Sequence, residues 1–200
     1  MDGGVHFTDL MRFHLGCEAK ELYAISKAYH PYRYHKPETL EGRIQVTNED
    51  TVIALIQFEH GITGQWTIAR MCPHGGFGGR VLYGSEGRIN LTGGYKNRKE
   101  EMTMDQLRQA YMASLSEAER ERLFPLGLTD SVATELHEFV QACLGRSDLE
   151  VDGYQGLKDV ALCFACYESS ATGMPVTLDD IESCAIEAYQ GELNRAWGIE

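Results

Sequence analysis

The chain has 200 residues, of which 43% are hydrophobic and 24% are charged, and its formal net charge is −12. This balance is typical of globular proteins, and the length is sufficient to bury a substantial core. So acidic a chain is repelled by phosphate backbones and anionic lipids, which argues against nucleic acid as a partner. We find no apolar run of the roughly 18 residues that a membrane span needs and no signal-peptide pattern, so we expect a cytoplasmic protein without a membrane partner.

The first chemically informative segment begins at residue 2. Asp2, His6 and Asp9 are spaced so that two carboxylates and an imidazole fall within about one and a half helical turns. Imidazole titrates near neutrality, and such a cluster can exchange protons with a hydroxyl or a carbonyl group. We predict that Thr8 caps a short helix here and that Gly16 ends it.

Strand patterns follow in the first half of the chain. Apolar runs separated by short polar turns predict antiparallel strands over 21–26, 42–46, 51–58 and 62–70, and a further hairpin over 80–91. The Tyr- and His-rich stretch 29–37 is predicted to be a loop. Both faces of 51–58 are largely apolar, which indicates burial on both sides and therefore a homo-oligomer that forms through the sheet face.

Helical periodicity dominates the second half. It predicts helices over 104–123, 130–144 and 154–171, followed by a short strand over 175–178 and a last helix from Asp179. The predicted fold class is therefore α+β, an open and predominantly antiparallel sheet with helices packed on one face. A Rossmann unit needs a Gly-x-Gly-x-x-Gly turn between a strand and a helix, and we find none, so we expect no Rossmann unit in this chain.

Two further residues are candidates for substrate binding. Arg70 and His74 end a predicted strand and enter a glycine-rich loop, a common position for ligand contacts, although solvated loop residues are the alternative. The Cys163-x-x-Cys166 pair lies in an apolar helical pattern and is interpreted as core packing rather than a redox or metal site. A metal site at residues 2, 6 and 9 is less favoured, because no further ligand pair has matching spacing.

The opening run DGGVHFTDLMRFHLG (2–16) resembles the start of the C-terminal domain of the Gfo/Idh/MocA oxidoreductases, which include glucose–fructose oxidoreductase and inositol dehydrogenase. Similar runs follow in the same order along most of the chain. They are EHGITGQW (59–66), VLYGSEGRI (81–89), VDGYQGLKD (151–159) and YESSATGMPV (167–176). The resemblance implies that residues 1–200 form a single domain of this type.

The resemblance also implies a function. It identifies the chain as the substrate-binding and catalytic half of an NAD(P)-dependent sugar or polyol oxidoreductase, with NAD or NADP held mainly by a Rossmann domain or subunit outside this chain. The position of Met1 directly before the motif favours a truncated start. The family motif maps onto Asp2 and His6, and its following acidic position maps onto Asp9. Asp2 would orient the imidazole, His6 would donate or accept the proton, and Asp9 would bind substrate. The alternative is a non-catalytic sugar-binding or oligomerisation module derived from the same family.

Overall fold

A computed structural model describes residues 3–70 and 79–199. Within these residues it contains seven α-helices and ten strands, and every strand pair is antiparallel. The predicted α+β class is confirmed. In chain order the elements are α1 (Gly4–Leu15), β1 (Ala19–Lys27), β2 (Tyr32–Lys36), β3 (Glu41–Gln45), β4 (Thr51–Phe58), β5 (Thr63–Ala69), β6 (Val81–Tyr83), β7 (Gly87–Asn90), β8 (Gly94–Asn97), β9 (Glu101–Met102), α2 (Met104–Ser114), α3 (Glu117–Leu123), α4 (Ser131–Cys143), α5 (Gly153–Thr172), β10 (Val176–Thr177), α6 (Leu178–Glu182) and α7 (Gln190–Trp197).

The chain divides into two compact units, one within Met1–Phe77 and Val151–Glu200 and the other within Gly78–Glu150. The first unit contains a four-stranded sheet in the order β10-β1-β4-β5. Alternate residues of β4 face the core, where Ile56 is fully buried and packs in one cluster with Leu22 of β1 and Leu162 of α5. The two-residue period of the sheet thus directs one apolar face toward helix α5.

The opposite face of this sheet is exposed within the chain. Tyr23, Ile25, Ile53 and Leu55 alternate with the core residues of β1 and β4, and each is between 39% and 57% exposed. The apolar character of both faces of 51–58 therefore corresponds to burial on one face only, because the helices of this unit cover just that side. Four neighbouring apolar side chains at the centre of a sheet form a contiguous exposed patch.

Helix α1 starts earlier than the sequence indicated. We predicted Thr8 as its N-cap, but the helix begins at Gly4, and Gly3 occupies the cap in a left-handed conformation with φ 74°. Thr8 is fully buried instead, and its hydroxyl is within hydrogen-bonding distance of the carbonyl oxygens of Val5 and Asp159. The predicted end is confirmed, since Gly16 adopts φ 63° and donates its N–H to Arg12.

A hairpin occupies the stretch that was predicted to be a loop. β2 pairs with β3, so the predicted strand 42–46 joins β2 rather than β4, and every residue of β3 is exposed. The carboxylate of Asp50, which is 3% exposed, accepts hydrogen bonds from the backbone N–H groups of Tyr29 and His30 at the base of this hairpin. Burial would raise the pKa of Asp50, but these two bonds and one from Thr51 lower it below its ordinary value.

The second unit contains the sheet β6-β7-β8-β9 and helices α2, α3 and α4. The predicted 80–91 hairpin is present as β6 and β7, and β8 and β9, which were not predicted, extend it before the first predicted helix of this unit. The predicted helix 104–123 is two helices, because Ser116 starts α3 with a capping box in which Glu119 is the partner. Asp130 caps α4 at the predicted position.

The pair Cys163 and Cys166 lies in the core on α5, as the packing interpretation predicts. Burial raises the pKa of the Cys163 thiol to about 11, which leaves it protonated and unreactive at neutral pH. None of the helices in the described ranges combines the length and the hydropathy that crossing a bilayer requires.

Candidate functional site

The first turn of α1 carries the predicted catalytic histidine. His6 is the third residue of this helix and is exposed to solvent, so it lies outside the packed interior. The buried positions of α1 are Gly4 and Thr8, and a rotation of about 100° per residue places His6 on the face away from them. An imidazole at this position can reach a molecule bound outside the domain.

Asp9 lies one turn further along the same helix and is half-buried. Residues three apart on a helix are surface neighbours, with Cβ atoms about 5–6 Å from each other, so the Asp9 carboxylate adjoins the His6 side chain. Asp2, the predicted orienting carboxylate, lies outside the described residues. The structure therefore places two of the three motif residues side by side at the start of α1.

Arg70 approaches the same helix end from the sheet. It follows β5 directly, it is exposed, and its backbone N–H donates to the carbonyl oxygen of Asp50. Its Nη2 atom lies 3.6 Å from the position that a Cβ on Gly3 would occupy. The guanidinium is thus next to Gly3, the N-cap of α1, which brings a third predicted site residue to this helix end, whereas His74 lies outside the described residues.

A ring contact between α1 and β5 is consistent with this proximity. The ring of Phe7 faces that of Trp66 with their centroids 6.5 Å apart. Trp66 itself is 6% exposed and belongs to the core. The start of α1 therefore lies against the part of the sheet from which Arg70 emerges.

A buried tyrosine at the level of this helix end was not anticipated from the sequence. Thr8 contacts Asp159 and Cys163, while Arg12 contacts Asp159 and residues before it, so α1 and α5 run antiparallel. Extrapolated by one turn, this register brings Gly4 to the stretch of α5 that contains Tyr167, which is 9% exposed. A single tyrosine in an apolar helix pattern gives no sequence signal for such a position.

Tyr167 is held by two neighbours from distant parts of the chain. Its hydroxyl donates a short hydrogen bond to the Glu49 carboxylate, and its ring stacks on Tyr189 with centroids 4.6 Å apart. Burial raises the pKa of Tyr167, and the acceptor Glu49 raises it further, so the phenol stays neutral near pH 7. Burial would raise the pKa of Glu49 too, but the Tyr167 hydroxyl contributes to lowering it below its ordinary value.

A cleft of about 120 Å³ opens near the other end of α1. Its charged groups are largely paired with one another, as Lys20 is with Glu59 at 3.1 Å and Arg12 with Glu18 at 2.8 Å. His6, Asp9 and Arg70 do not line this cleft, so it gives no support to their role. The lining residues are Arg12, Glu18, Ala19, Lys20, Glu59, Lys158, Leu162, Leu178, Asp179 and Glu182.

Metal binding was the less favoured hypothesis for the start of the chain. Over 3–70 and 79–199, no three His, Cys, Asp or Glu side chains come together in a group that could hold a metal ion. The proposed ligand Asp2 lies outside these ranges.

Comparison with known families identifies the class of this fold. Residues 1–178 match the model of the oxidoreductase family, C-terminal alpha/beta domain, which is the family of the Gfo/Idh/MocA oxidoreductases. The chain belongs to this family, as its sequence motifs predicted. No curated protein sequence matches it.

Solved structures share the fold at low sequence identity. An oxidoreductase from Thermotoga maritima is 24% identical with a TM-score of 0.59, over 90% of this chain and 44% of its own length. An oxidoreductase from Agrobacterium radiobacter in complex with NAD+, L-tartaric acid and magnesium is 23% identical with a TM-score of 0.63, over 89% and 48%. The WlbA dehydrogenase from Bordetella pertussis in complex with NADH and UDP-GlcNAcA is 19% identical with a TM-score of 0.58, over 86% and 45%. This chain therefore spans less than half of each of these proteins.

Proposed function

We propose that this chain is the substrate-binding and catalytic half of an NAD(P)-dependent oxidoreductase that acts on a sugar or polyol. In this proposal residues 1–200 are one domain of the family, and a Rossmann half is supplied upstream or by a separate subunit. The exposure of His6 in the first turn of α1, with Asp9 one turn further along and Arg70 next to Gly3 at the helix start, is the observation that carries the proposal. Neighbours solved with NAD+ or NADH support a nicotinamide cofactor.

The described residues include no dinucleotide-binding unit of their own, so this chain would contribute only a surface toward the cofactor. Gly3 and Gly4 suit that contribution, because they leave backbone without side chains at the start of α1. Such a surface permits a close approach by a flat ring. The nicotinamide, when bound, would supply the hydride acceptor or donor.

The residues of this chain would handle the proton and the substrate. When an alcohol is oxidised, its C–H bond breaks and the hydride leaves the carbon, while the O–H proton passes to a ring nitrogen of His6 and a C=O bond forms. In the reverse direction His6 returns that proton to the oxygen. Asp9 would accept hydrogen bonds from substrate hydroxyls, and Arg70, with His74 as a second candidate, would donate to substrate oxygens. Asp2 would orient the imidazole.

The test uses this chain combined with a Rossmann half, either fused upstream or mixed in trans. We expect NAD(P)H turnover with cyclitols or aldoses, and we expect His6→Ala to lower kcat by about 10²–10⁴-fold. His14→Ala is the matched control, because His14 is exposed on the same helix two turns away and should leave kcat unchanged. Turnover that is equally indifferent to both substitutions would exclude His6 as the acid or base.

A non-catalytic sugar-binding or oligomerisation module is the second candidate. It is favoured by the lack of a nucleotide-binding unit in the described residues. It predicts saturable sugar binding in calorimetry without nicotinamide turnover in any combination with a Rossmann half. Measurable turnover that depends on His6 would reject this candidate.

The exposed sheet face supports a homo-oligomer in either case. It carries a contiguous apolar patch of the kind that association between subunits buries, formed by Tyr23, Ile25, Ile53 and Leu55. We expect light scattering to report a dimer or tetramer and Leu55→Lys to shift it to the monomer. Leu40→Lys, at a 64% exposed position between β2 and β3, is the control that should leave the mass unchanged.

A further inference from the structure

Few apolar side chains of helix α1 pack against the core. Its buried residues are Gly4 and Thr8, Met11 and Leu15 contribute partly buried side chains to the core, and the ring of Phe7 contacts that of Trp66. Apolar packing is non-directional, so these few side chains define the rotation of the helix about its axis less sharply than hydrogen bonds do. The orientation of α1 therefore depends on directional contacts as well.

Arg12 provides most of those contacts. Its Nε and Nη2 atoms donate to the two carboxylate oxygens of Glu18 at 2.8 and 2.9 Å. Its Nη1 donates to Asp159 Oδ1 at 2.8 Å and to the carbonyl oxygen of Gln155 at 3.2 Å, and Nη2 also donates to the Gln155 side chain. One guanidinium thereby ties α1 both to α5 and to the segment that leads into β1.

Thr8 adds a contact one turn earlier on the same face. Its hydroxyl lies 3.1 Å from the carbonyl oxygen of Asp159, and no part of the residue is exposed. Arg12 and Thr8 thus engage the same residue of α5 from successive turns. Two directional contacts about 6 Å apart along the axis determine rotation as well as distance.

Burial makes this network selective for one geometry. The side chains of Arg12 and Asp159 are 10% and 5% exposed. Burial raises the pKa of Asp159 above its ordinary value, and the Arg12 guanidinium counteracts only part of that rise. Because desolvation offsets much of the Coulomb attraction in buried ion pairs, their net contribution to stability is small, and a role in fixing orientation is the better account.

We propose that Arg12 is a positioning residue that sets the rotation of α1 and thereby the place of the His6 imidazole. His6 and Arg12 are six residues apart, which is about 9 Å along the helix axis, too far for direct contact. With a helix radius of about 5–6 Å including side chains, a 20° rotation of α1 displaces the imidazole by about 2 Å. A displacement of that size is enough to cost on the order of 10²-fold in rate. This inference rests on the catalytic role proposed for His6.

A double-mutant cycle tests this positioning role in the assembled enzyme, which is this chain combined with a Rossmann half. We expect Arg12→Met to lower kcat by about 10- to 100-fold with an unchanged KM for the cofactor, and Asp159→Asn to act in the same direction. In a His6→Ala background neither change should lower kcat further, because both act through the imidazole. Lys36→Met, which removes an exposed ion pair with Glu41, is the control. Equal losses in both backgrounds would overturn the proposal, as would an unchanged kcat.

A second measurement separates this inference from the proposed function. NMR of the isolated chain follows the ring signals of His6, which the His6→Ala variant assigns among the seven histidines. We expect these signals to shift in Asp159→Asn and in Arg12→Lys, which keeps the charge but not the forked geometry, and to remain in Lys36→Met. Unshifted signals reject positioning even if His6 is catalytic. Shifted signals without turnover in any enzyme reject the catalytic role and retain the positioning.

Discussion

On one face of α1, Thr8 is fully buried and the Arg12 side chain is 10% exposed, whereas on the other face His6 and Phe13 are open to solvent. The first face makes its polar contacts with α5 and with Glu18. The second face carries the imidazole of the family motif and contributes little to the core. Folding therefore accounts for the polar residues of the first face, whereas it does not require an imidazole at position 6 on the second.

This division predicts that substitutions on the two faces have opposite signatures. Changes on the packed face should alter the free energy of unfolding and disturb the site indirectly. Changes on the exposed face should leave stability intact and affect only turnover or ligand binding.

The largest loss of stability is expected for Arg12→Met. The substitution keeps the aliphatic stem but leaves the Asp159 carboxylate, which is 4% exposed as a residue, without its cation. Breaking a buried ion pair from one side costs about 3–5 kcal/mol, so urea unfolding at pH 7 should show a free energy of unfolding that is lower by about that amount. A loss below about 1 kcal/mol would mean that the network contributes no more than a surface pair.

The pH dependence of that loss identifies its cause. Burial raises the pKa of Asp159, and removal of Arg12 raises it further, so the folded state binds a proton more tightly than the unfolded state does. Stability linked to such a group is present below the unfolded pKa and is lost as pH rises through the folded pKa. The deficit of Arg12→Met should therefore be largest at pH 7 and shrink toward pH 4, and a deficit that stays constant would assign it to lost packing instead.

The features that the sequence predicted correctly are those determined by residues close together along the chain. The strand 51–58 was predicted with both ends correct, because alternation of apolar residues is a local pattern. The end of α1 was also predicted, since Gly16 alone supplies the left-handed residue that stops the helix.

The predicted start of α1 at Thr8 was wrong for a physical reason. Threonine is a good N-cap, but the hydroxyl of Thr8 interacts with Asp159, 151 residues away, and that partner has no local signal. The β2–β3 hairpin was missed similarly, since its Tyr- and His-rich composition resembles a loop and its base is held by the distant Asp50.

The candidate site divides in the same way. His6 and Asp9 could be predicted because their spacing and the family resemblance are both visible in the sequence. Arg12 and Asp159 could not, because their importance lies in contacts that only the packing of α1 on α5 creates. Tyr167 could not either, because its partner Glu49 is 118 residues away along the chain.

A smaller loss of stability is expected for Thr8→Val. Valine keeps the shape and the methyl group of the buried side chain and removes only its hydroxyl, whose neighbours are backbone carbonyl groups. The lost hydrogen bond should cost about 0.5–1.5 kcal/mol in thermal or urea unfolding. Thr8→Ser retains the hydroxyl, so a comparison of the two variants separates the polar contribution from the packing of the methyl group. A loss for Thr8→Ser with no loss for Thr8→Val would assign the effect to packing alone.

The smallest effect on stability is expected for His6→Gln. His6 is exposed in the first turn of α1 and belongs to neither the core cluster nor the Arg12 network. Glutamine suits a helix at least as well as histidine, so the free energy of unfolding should change by less than about 0.5 kcal/mol. Turnover in the assembled enzyme should fall at the same time, because an amide cannot take or return the proton. A loss of stability above about 1 kcal/mol would show that His6 is held by folding contacts, and the contrast between the two faces of α1 would then no longer identify a site.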